Sequence, residues 1–153
     1  MLENVFHRIL QTMFGSGANI SAANPLPVDA SPGAKTATTV LTDAVLAAAA
    51  TTLIGDCANI DLSGGPPTLA LTIEATYNVA ATLGIRIHVR TSFDGISWDT
   101  QDWDVWNPAF AAGVAIRQAE HYDTSPMYAR VLVENLDPAQ AVTLINVIAT
   151  VGA

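Results

Sequence analysis

The chain has 153 residues, of which half are apolar and 13% are charged. This composition is typical of a folded protein and excludes a disordered chain. Its length fits one domain with an extension. The net charge of −8, from 14 acidic and 6 basic residues, argues against binding to nucleic-acid phosphates or to anionic lipid.

The start of the chain differs from a signal peptide. Glu3 lies where such a peptide is basic, and His7 and Arg8 interrupt the apolar residues. No stretch of the sequence reaches the ~18 apolar residues of a membrane span. Cys57 is the only cysteine, so no intrachain disulfide can form. The cysteine content therefore does not indicate whether the protein resides in an oxidising or a reducing compartment. We expect a soluble protein that is made inside the cell and has no membrane partner.

Residues 1–14 carry an apolar stripe at helical spacing, followed by the helix-ending sequence Gly15-Ser16-Gly17. The stripe consists of Leu2, Val5, Phe6, Ile9, Leu10 and Met13. An isolated helix of this length is marginal in water, since even good helix formers need roughly 12–15 residues. We therefore expect a docking helix whose apolar face is buried on its own domain or on a neighbour.

Residues 15–33 form a predicted extended arm. Pro25 and Pro27 restrain the residues before them to extended geometry, which excludes a helix. Such a segment can lie along another subunit as a strand or a polyproline ribbon. A flexible linker is the alternative, but a plain linker would not need the apolar side chains of Leu26 and Val28.

Residues 34–153 show mostly strand patterns separated by turn signals such as Asp94-Gly95, Asn107-Pro108 and Asp137-Pro138. The predicted strands span residues 35–42, 68–77, 84–91, 98–106, 114–119, 127–134 and 141–151. Seven or eight short strands at this spacing predict an all-β domain, a jelly-roll-like antiparallel β-sandwich, preceded by the amphipathic helix and the arm.

Residues 43–55 are ambiguous. Their alanines favour a helix that Asp43 could cap. The flanking threonines and the lack of a polar face favour a strand packed through small side chains, and a strand is our prediction.

Alternation in residues 84–91 places Ile85, Ile87 and Val89 on the core side and Arg86, His88 and Arg90 on the other side. Asp94-Gly95 then marks a hairpin, because glycine accepts the positive φ that tight turns need. A two-residue loop would place Arg90 opposite Asp99, and a three-residue bulged loop would shift this pairing by one residue.

Four aspartates in this region raise the question of a calcium site, since hard cations bind several carboxylate oxygens. They are Asp94, Asp99, Asp102 and Asp104. Their spacing differs from that of an EF-hand loop, and strand alternation scatters them over both faces. We interpret them as a solvated face partnered by Arg86 and Arg90, and we predict no metal site.

Trp98, Trp103 and Trp106 lie within nine residues and could form an aromatic platform for a sugar. In a strand, however, Trp98 and Trp106 share one face while Trp103 takes the other. At most two of them could form one platform, and at least one is expected in the core or in an interface.

Catalytic chemistry finds little support in the sequence. His7, His88 and His121 form no metal-binding pair, and one cysteine cannot build a structural zinc site. Ser92 and Ser97 lie near His88, but no nucleophile elbow or glycine-rich oxyanion loop surrounds them. We predict no catalytic residues and no cofactor, and we interpret Arg130 and Glu134 as structural and Asn135 as bonding the following turn backbone.

Four sequence strings resemble those of small β-sandwich structural proteins of tailed bacteriophages. They are Asn24-Pro25-Leu26-Pro27-Val28, Asp61-Leu62-Ser63-Gly64, Ser92-x-Asp94-Gly95-x-x-Trp98-Asp99 and Tyr128-x-Arg130-Val131. The resemblance covers roughly residues 22–150 and implies a virion component that is made in the host cytoplasm and assembled in multiple copies. Capsid decoration, head–tail, tail-associated and fibre-base proteins all fit, and no catalytic residues carry over.

The sequence thus favours a non-enzymatic assembly protein of a phage particle, most simply a capsid decoration (cement) protein. Its expected partners are copies of itself, with a trimer as one arrangement, and other virion proteins. The assembly residues would be those of the stripe, together with Pro25, Leu26, Pro27 and Val28. A carbohydrate-binding sandwich module is the alternative, a head–tail or tail-associated protein is a second, and an enzyme using His88 or His121 is the least favoured.

Overall fold

The computed structural model describes residues 35–64, 68–123 and 126–152, which form eight β-strands and a 3-10 turn at Ile54–Asp56. The strands are β1 (Thr36–Leu46), β2 (Ile60–Asp61), β3 (Thr68–Tyr77), β4 (Ile85–Ser92), β5 (Asp104–Trp106), β6 (Ala115–Asp123), β7 (Tyr128–Asn135) and β8 (Val142–Gly152). The predicted helix over residues 1–14 and the predicted arm over residues 15–33 lie outside the described residues.

The strands form two four-stranded antiparallel sheets. The strand order is β1-β8-β3-β6 in sheet 1 and β2-β7-β4-β5 in sheet 2. Every ladder is antiparallel, and every connection between consecutive strands except the one from β4 to β5 carries the chain from one sheet to the other. The all-β prediction and the number of strands are confirmed.

One core is buried between the two sheets, and strand alternation explains it. The predicted core side chains of β4, Ile85, Ile87 and Val89, are at most 1% exposed, while the residues between them are half-buried on the opposite face. Leu71 and Ile73 of β3 contribute to the same core from sheet 1. Each fully buried aliphatic side chain of this size contributes about 1.5–3 kcal/mol, so burial of these faces determines the register.

The strand predicted over residues 43–55 is wrong beyond Leu46. A turn follows at residues 48–49, where Ala49 has a φ of +54°, and Thr51 then makes a single bridge to Glu134. The physical reason is that this segment leaves sheet 1 and reaches β7 of sheet 2. A continuous strand could not change sheets in this way.

The strand predicted over residues 98–106 is also wrong except for its last three residues, which form β5. The Asp99 N–H donates to the Thr91 carbonyl at 3.0 Å. However, eleven residues, 93–103, separate β4 from β5, so neither of the predicted hairpin loops, of two or of three residues, joins these strands. The ladder resumes only where Val89 pairs with Asp104. Between these points the chain leaves the ladder, and the Asp102 carboxylate bonds to side chains of β4.

Cys57 is a buried free thiol, 1% exposed, at the point where the chain joins sheet 2. Its Sγ accepts the Val131 N–H at 3.3 Å and donates to the Ala58 carbonyl at 3.4 Å. Burial raises the pKa of this thiol, which keeps it protonated and unreactive while the fold is closed.

Among the described residues, no helix has the length and apolar character needed to cross a membrane.

Candidate functional site

An ionic network covers the outer face of sheet 2. The two ring nitrogens of His88 lie 2.8 Å from Asp102 Oδ2 and 3.1 Å from Glu134 Oε2. Arg90 Nε donates to Asp102 Oδ1 at 3.0 Å, and Arg86 lies 3.3 Å from Glu134 Oε2. The predicted pairing of the aspartates with arginines is confirmed only for Asp102, which pairs with Arg90, and Arg86 pairs instead with Glu134.

The polar side-chain atoms of this ionic network bond to one another. Both ring nitrogens of His88 lie against carboxylate oxygens, so neither is directed at a serine or cysteine nucleophile. Burial raises the pKa of Asp102, but hydrogen bonds from His88 and Arg90 outweigh this effect, and the pKa is lowered overall. Ser92 Oγ donates to the Ser97 carbonyl at 2.6 Å rather than facing His88. The described residues therefore assemble no Ser–His pair.

Asp94 organises the turn after β4. Its Oδ1 accepts the backbone N–H groups of Ser97 at 2.7 Å and Ile96 at 2.8 Å, which lowers the pKa of Asp94 to about 2. Gly95 occupies the positive φ that we predicted, at +71°. The turn presents the apolar side chains of Phe93 and Ile96 to solvent, 84% and 83% exposed.

The remaining aspartates of the considered calcium site have separate partners. Asp99 accepts from the Thr91 hydroxyl at 2.6 Å, and Asp104 accepts from the Tyr122 hydroxyl at 2.8 Å. Burial, followed by the bond to Asp104, raises the pKa of Tyr122. In residues 35–64, 68–123 and 126–152, no group of three or more His, Cys, Asp and Glu side chains is placed to hold a metal ion.

The three tryptophans have different environments. Trp98 lies below the Arg130 guanidinium, whose carbon is 4.7 Å from the ring centroid. Trp106 packs against the core, and its buried indole N–H has no hydrogen-bond partner within the described part of the chain. Trp103 is 39% exposed and its ring centroid is 5.1 Å from that of Tyr122. The prediction that Trp98 and Trp106 share a strand face is wrong, because Trp98 precedes β5.

Trp103 borders a shallow pocket of about 270 Å³ at the edge of sheet 2. The pocket is lined by Thr91, Asp99, Thr100, Gln101, Asp102 and Trp103. An exposed indole beside hydroxyl, amide and carboxylate groups could stack on a sugar ring and bond its hydroxyls. Of the predicted platform, only Trp103 takes part in this arrangement.

Four loops meet at the end of the domain where β3 ends and β4 begins, and we call this surface the uncharged end. It consists of residues 47–50, 78–84, 107–114 and 136–141. The only ionisable side chain in these loops is that of Asp137. The loops at the opposite end carry several acidic residues, among them Asp94, Asp99 and Asp102. The two ends therefore differ sharply in charge.

Asp137 holds two of these loops together. Its Oδ2 accepts the N–H groups of Thr82 at 2.6 Å and Leu83 at 3.1 Å, and its Oδ1 accepts those of Ala139 at 2.9 Å and Gln140 at 2.8 Å. The residue is 1% exposed. These backbone donors, Thr82 first, hold the pKa of Asp137 well below its usual range. Its charge is thus directed into the loops and away from the surface.

Asn135 connects a third loop, and the predicted bonding to the turn backbone is confirmed. Its Nδ2 donates to the carbonyls of Gln140 at 2.8 Å and Ala47 at 3.0 Å, and its Oδ1 accepts the Asp137 N–H at 3.0 Å. The fourth loop is attached where the Gly113 N–H donates to the Asn78 carbonyl at 3.0 Å. The uncharged end is therefore a rigid surface rather than a set of independent loops.

Large apolar side chains protrude from the uncharged end. Val79 is 83% exposed, Leu83 and Val114 are each 48% exposed, and Phe110 is 41% exposed. Clusters of this kind on a soluble domain mark interaction surfaces. Our sequence analysis missed this one. The available signal was the near absence of charge from four separate loops, which becomes meaningful only when the fold brings them together.

The predicted assembly residues Leu2, Val5, Phe6, Ile9, Leu10, Met13, Pro25, Leu26, Pro27 and Val28 lie outside the described residues. Their docking role stays a prediction from the sequence. No family model, curated protein or solved structure matches this chain.

Proposed function

We propose that the chain is a non-enzymatic structural protein of a bacteriophage particle, most simply a capsid decoration protein or another protein of the virion surface. It is made in the host cytoplasm and docks onto the particle through its N-terminal helix and arm. The observation that carries the proposal is the uncharged end, a rigid apolar surface on a domain whose polar clusters are paired internally. Such a molecule is suited to forming contacts rather than to chemistry.

We infer that the two sheets form a jelly roll. The support is the pairing of strands from the two halves of the chain: β1 with β8, β2 with β7, β3 with β6 and β4 with β5. A long antiparallel ribbon folded over on itself gives this pairing and distributes successive pairs between two sheets. Eight-stranded jelly rolls recur in viral capsid proteins and in lectins.

The arm and the domain would act together in assembly. Once the domain or the helix has bound, the arm between them holds the other close to the particle. This tethering raises the local concentration of the part that has yet to bind. The partners are copies of this chain, with a trimer as one arrangement, and other virion proteins. Neither nucleic acid nor a membrane is a partner in this proposal, which agrees with the net charge of −8.

The test uses a charge placed on the predicted stripe. Ile9→Asp puts a carboxylate on the apolar face of residues 1–14, and Gln11→Asp puts the same group on the polar face. We expect Ile9→Asp to lower the number of copies per particle several-fold and Gln11→Asp to leave it unchanged. Full occupancy by Ile9→Asp would refute docking through the helix.

Imaging the particles that contain the protein determines its position. Density on the outer capsid surface supports a decoration protein, whereas density at the portal or along the tail supports the head–tail or tail-associated alternative. Failure of the tagged, full-length chain to co-purify with any larger assembly from producing cells would contradict the whole proposal.

A carbohydrate-binding module is a second candidate, and the pocket beside Trp103 favours it. We expect Trp103→Ala to abolish any glycan binding without unfolding the domain. Trp98→Ala is the matched control, since Trp98 lies below Arg130 and does not line that pocket. A glycan array on which the wild-type protein binds nothing would refute this candidate.

A further inference from the structure

We propose that the uncharged end is self-complementary, so that two copies of this chain pack end to end through it about a two-fold axis. The inference rests on the proposed assembly role and names the partner at this surface as a second copy. Residues 47–50, 78–84, 107–114 and 136–141 of one copy would meet the same residues of the other.

Charge favours a second copy at this surface. The chain has a net charge of −8, so two copies that approach with random orientations repel each other. The opposite end would bring together carboxylates such as Asp94 and Asp99 of both copies. The uncharged end presents no free charge, because the Asp137 carboxylate is occupied by backbone N–H groups. It is therefore the surface on which two identical acidic molecules can meet with less like-charge repulsion than at the acidic end.

The size and composition of the surface fit a stable contact. The four loops comprise about 25 residues, within the 20–30 residues per partner of a standard-size interface. Val79, Leu83, Phe110 and Val114 supply large apolar anchors of the kind that dominate binding energy. The bonds from Asp137 and Asn135 already order the loops, so little conformational entropy remains to be lost on association.

Two-fold symmetry follows from the use of one surface by both copies. In such an isologous contact each pairwise interaction occurs twice, and the assembly closes at two subunits. A heterologous contact would require a second, different apolar surface of similar size on each copy. Other exposed apolar side chains in the described part of the chain include Phe93 and Ile96 at the acidic end, and Val45, Leu53 and Leu144.

The experiment is a charge exchange at Val79 in the full-length protein. Val79→Asp and Val79→Lys each bury two charges of one sign, one from each copy, in the proposed contact. We expect each variant alone to dimerise about 100-fold more weakly than the wild type, because a substitution that weakens the contact about tenfold occurs twice. An equimolar mixture should regain a dimer that contains one copy of each variant. Sedimentation velocity over a concentration series measures these constants, and native mass spectrometry identifies the mixed species.

Ile96→Asp is the matched control, since Ile96 is also 83% exposed but lies in the turn at the acidic end. It should leave dimerisation unchanged. A wild-type protein that stays monomeric throughout the series refutes the proposal, as does dimerisation that is insensitive to Val79→Asp or equally sensitive to Ile96→Asp.

The two proposals can fail separately. Loss of the dimer in Val79→Asp, together with normal particle occupancy of Ile9→Asp, would support end-to-end pairing and refute docking through the helix. The converse pattern would refute the pairing and leave the docking helix supported.

Discussion

Replacing Asn135 by alanine removes the side chain that joins two loops of the uncharged end, residues 47–50 and 136–141. Asn135 is 1% exposed, and no other described side chain bonds both residues 47–50 and residues 136–141. Its carboxamide makes three hydrogen bonds of 3.0 Å or less, to the Ala47 and Gln140 carbonyls and from the Asp137 N–H. In Asn135→Ala the Gln140 carbonyl and the Asp137 N–H lose this partner, and the Ala47 carbonyl keeps only the Ala50 N–H at 3.3 Å.

The expected cost follows from these bonds. A buried hydrogen bond contributes about 1 kcal/mol net, and a backbone group left without a partner costs more when water cannot reach it. Three bonds therefore give about 3 kcal/mol of lost stability. For a chain of this size, that corresponds to a fall in Tm of about 6–12 °C.

Urea unfolding followed by tryptophan fluorescence measures this loss, with Asn146→Ala as the control. Asn146 makes its two side-chain hydrogen bonds on the outer face of sheet 1, at 3.1 and 3.4 Å, so the same substitution there should cost less than about 0.5 kcal/mol. Equal destabilisation by the two substitutions, or a loss below about 1 kcal/mol for Asn135→Ala, would refute the reasoning.

Two further predictions concern acid stability and a turn glycine. The pKa of Asp94 is lowered from 3.8 to about 2, and that of Asp137 is lowered as well, so their stabilisation is complete above about pH 5 and is lost progressively as the pH falls toward 2. We expect the urea midpoint to fall across this window and to fall less in Asp94→Asn; equal slopes in both proteins would contradict the assignment. Gly113 has a φ of +71°, and a Cβ there would lie 2.8 Å from Val79 Cγ1, so Gly113→Ala should cost about 1–3 kcal/mol in thermal unfolding. Gly55→Ala, where a Cβ has open space, should change the stability by less than about 1 kcal/mol, and similar losses at both sites would exclude strain as the cause.

The sequence predicted best the strands that are buried on one face. The bounds of β3 match the predicted residues 68–77, and β4 and β7 are shifted by one residue. In these strands the alternation of apolar and polar side chains reports directly on the buried face, because a slip by one residue would expose the whole apolar set. The inward positions of Ile85, Ile87 and Val89 could be predicted for the same reason.

The predictions failed where tertiary contacts override the local pattern. Residues 47–53 contain strand-compatible alanines and threonines, but the chain must leave sheet 1 there to reach β7. Residues 98–103 look like a strand because of their aromatic residues, yet bonds from His88 and Arg90 hold Asp102 outside the ladder. Neither contact leaves a signal in the local sequence.

The uncharged end was beyond the reach of sequence reasoning for a different reason. Its loops are separated by as many as about ninety positions along the chain, and each one alone resembles an ordinary turn. Only the local part could be predicted, namely that Asn135 bonds the turn that follows it. The convergence of the loops depends on the topology of both sheets.

Cys57 gives the protein a natural probe of its own fluctuations. Because the thiol is 1% exposed and bonded to sheet 2, an alkylating reagent can modify it only after β7 and the connection before β2 separate. When closing is fast compared with labelling, the labelling rate equals the opening equilibrium multiplied by the rate of the exposed thiol. Mass spectrometry of the labelled, untagged protein would therefore report how often β7 and this connection separate next to Cys57.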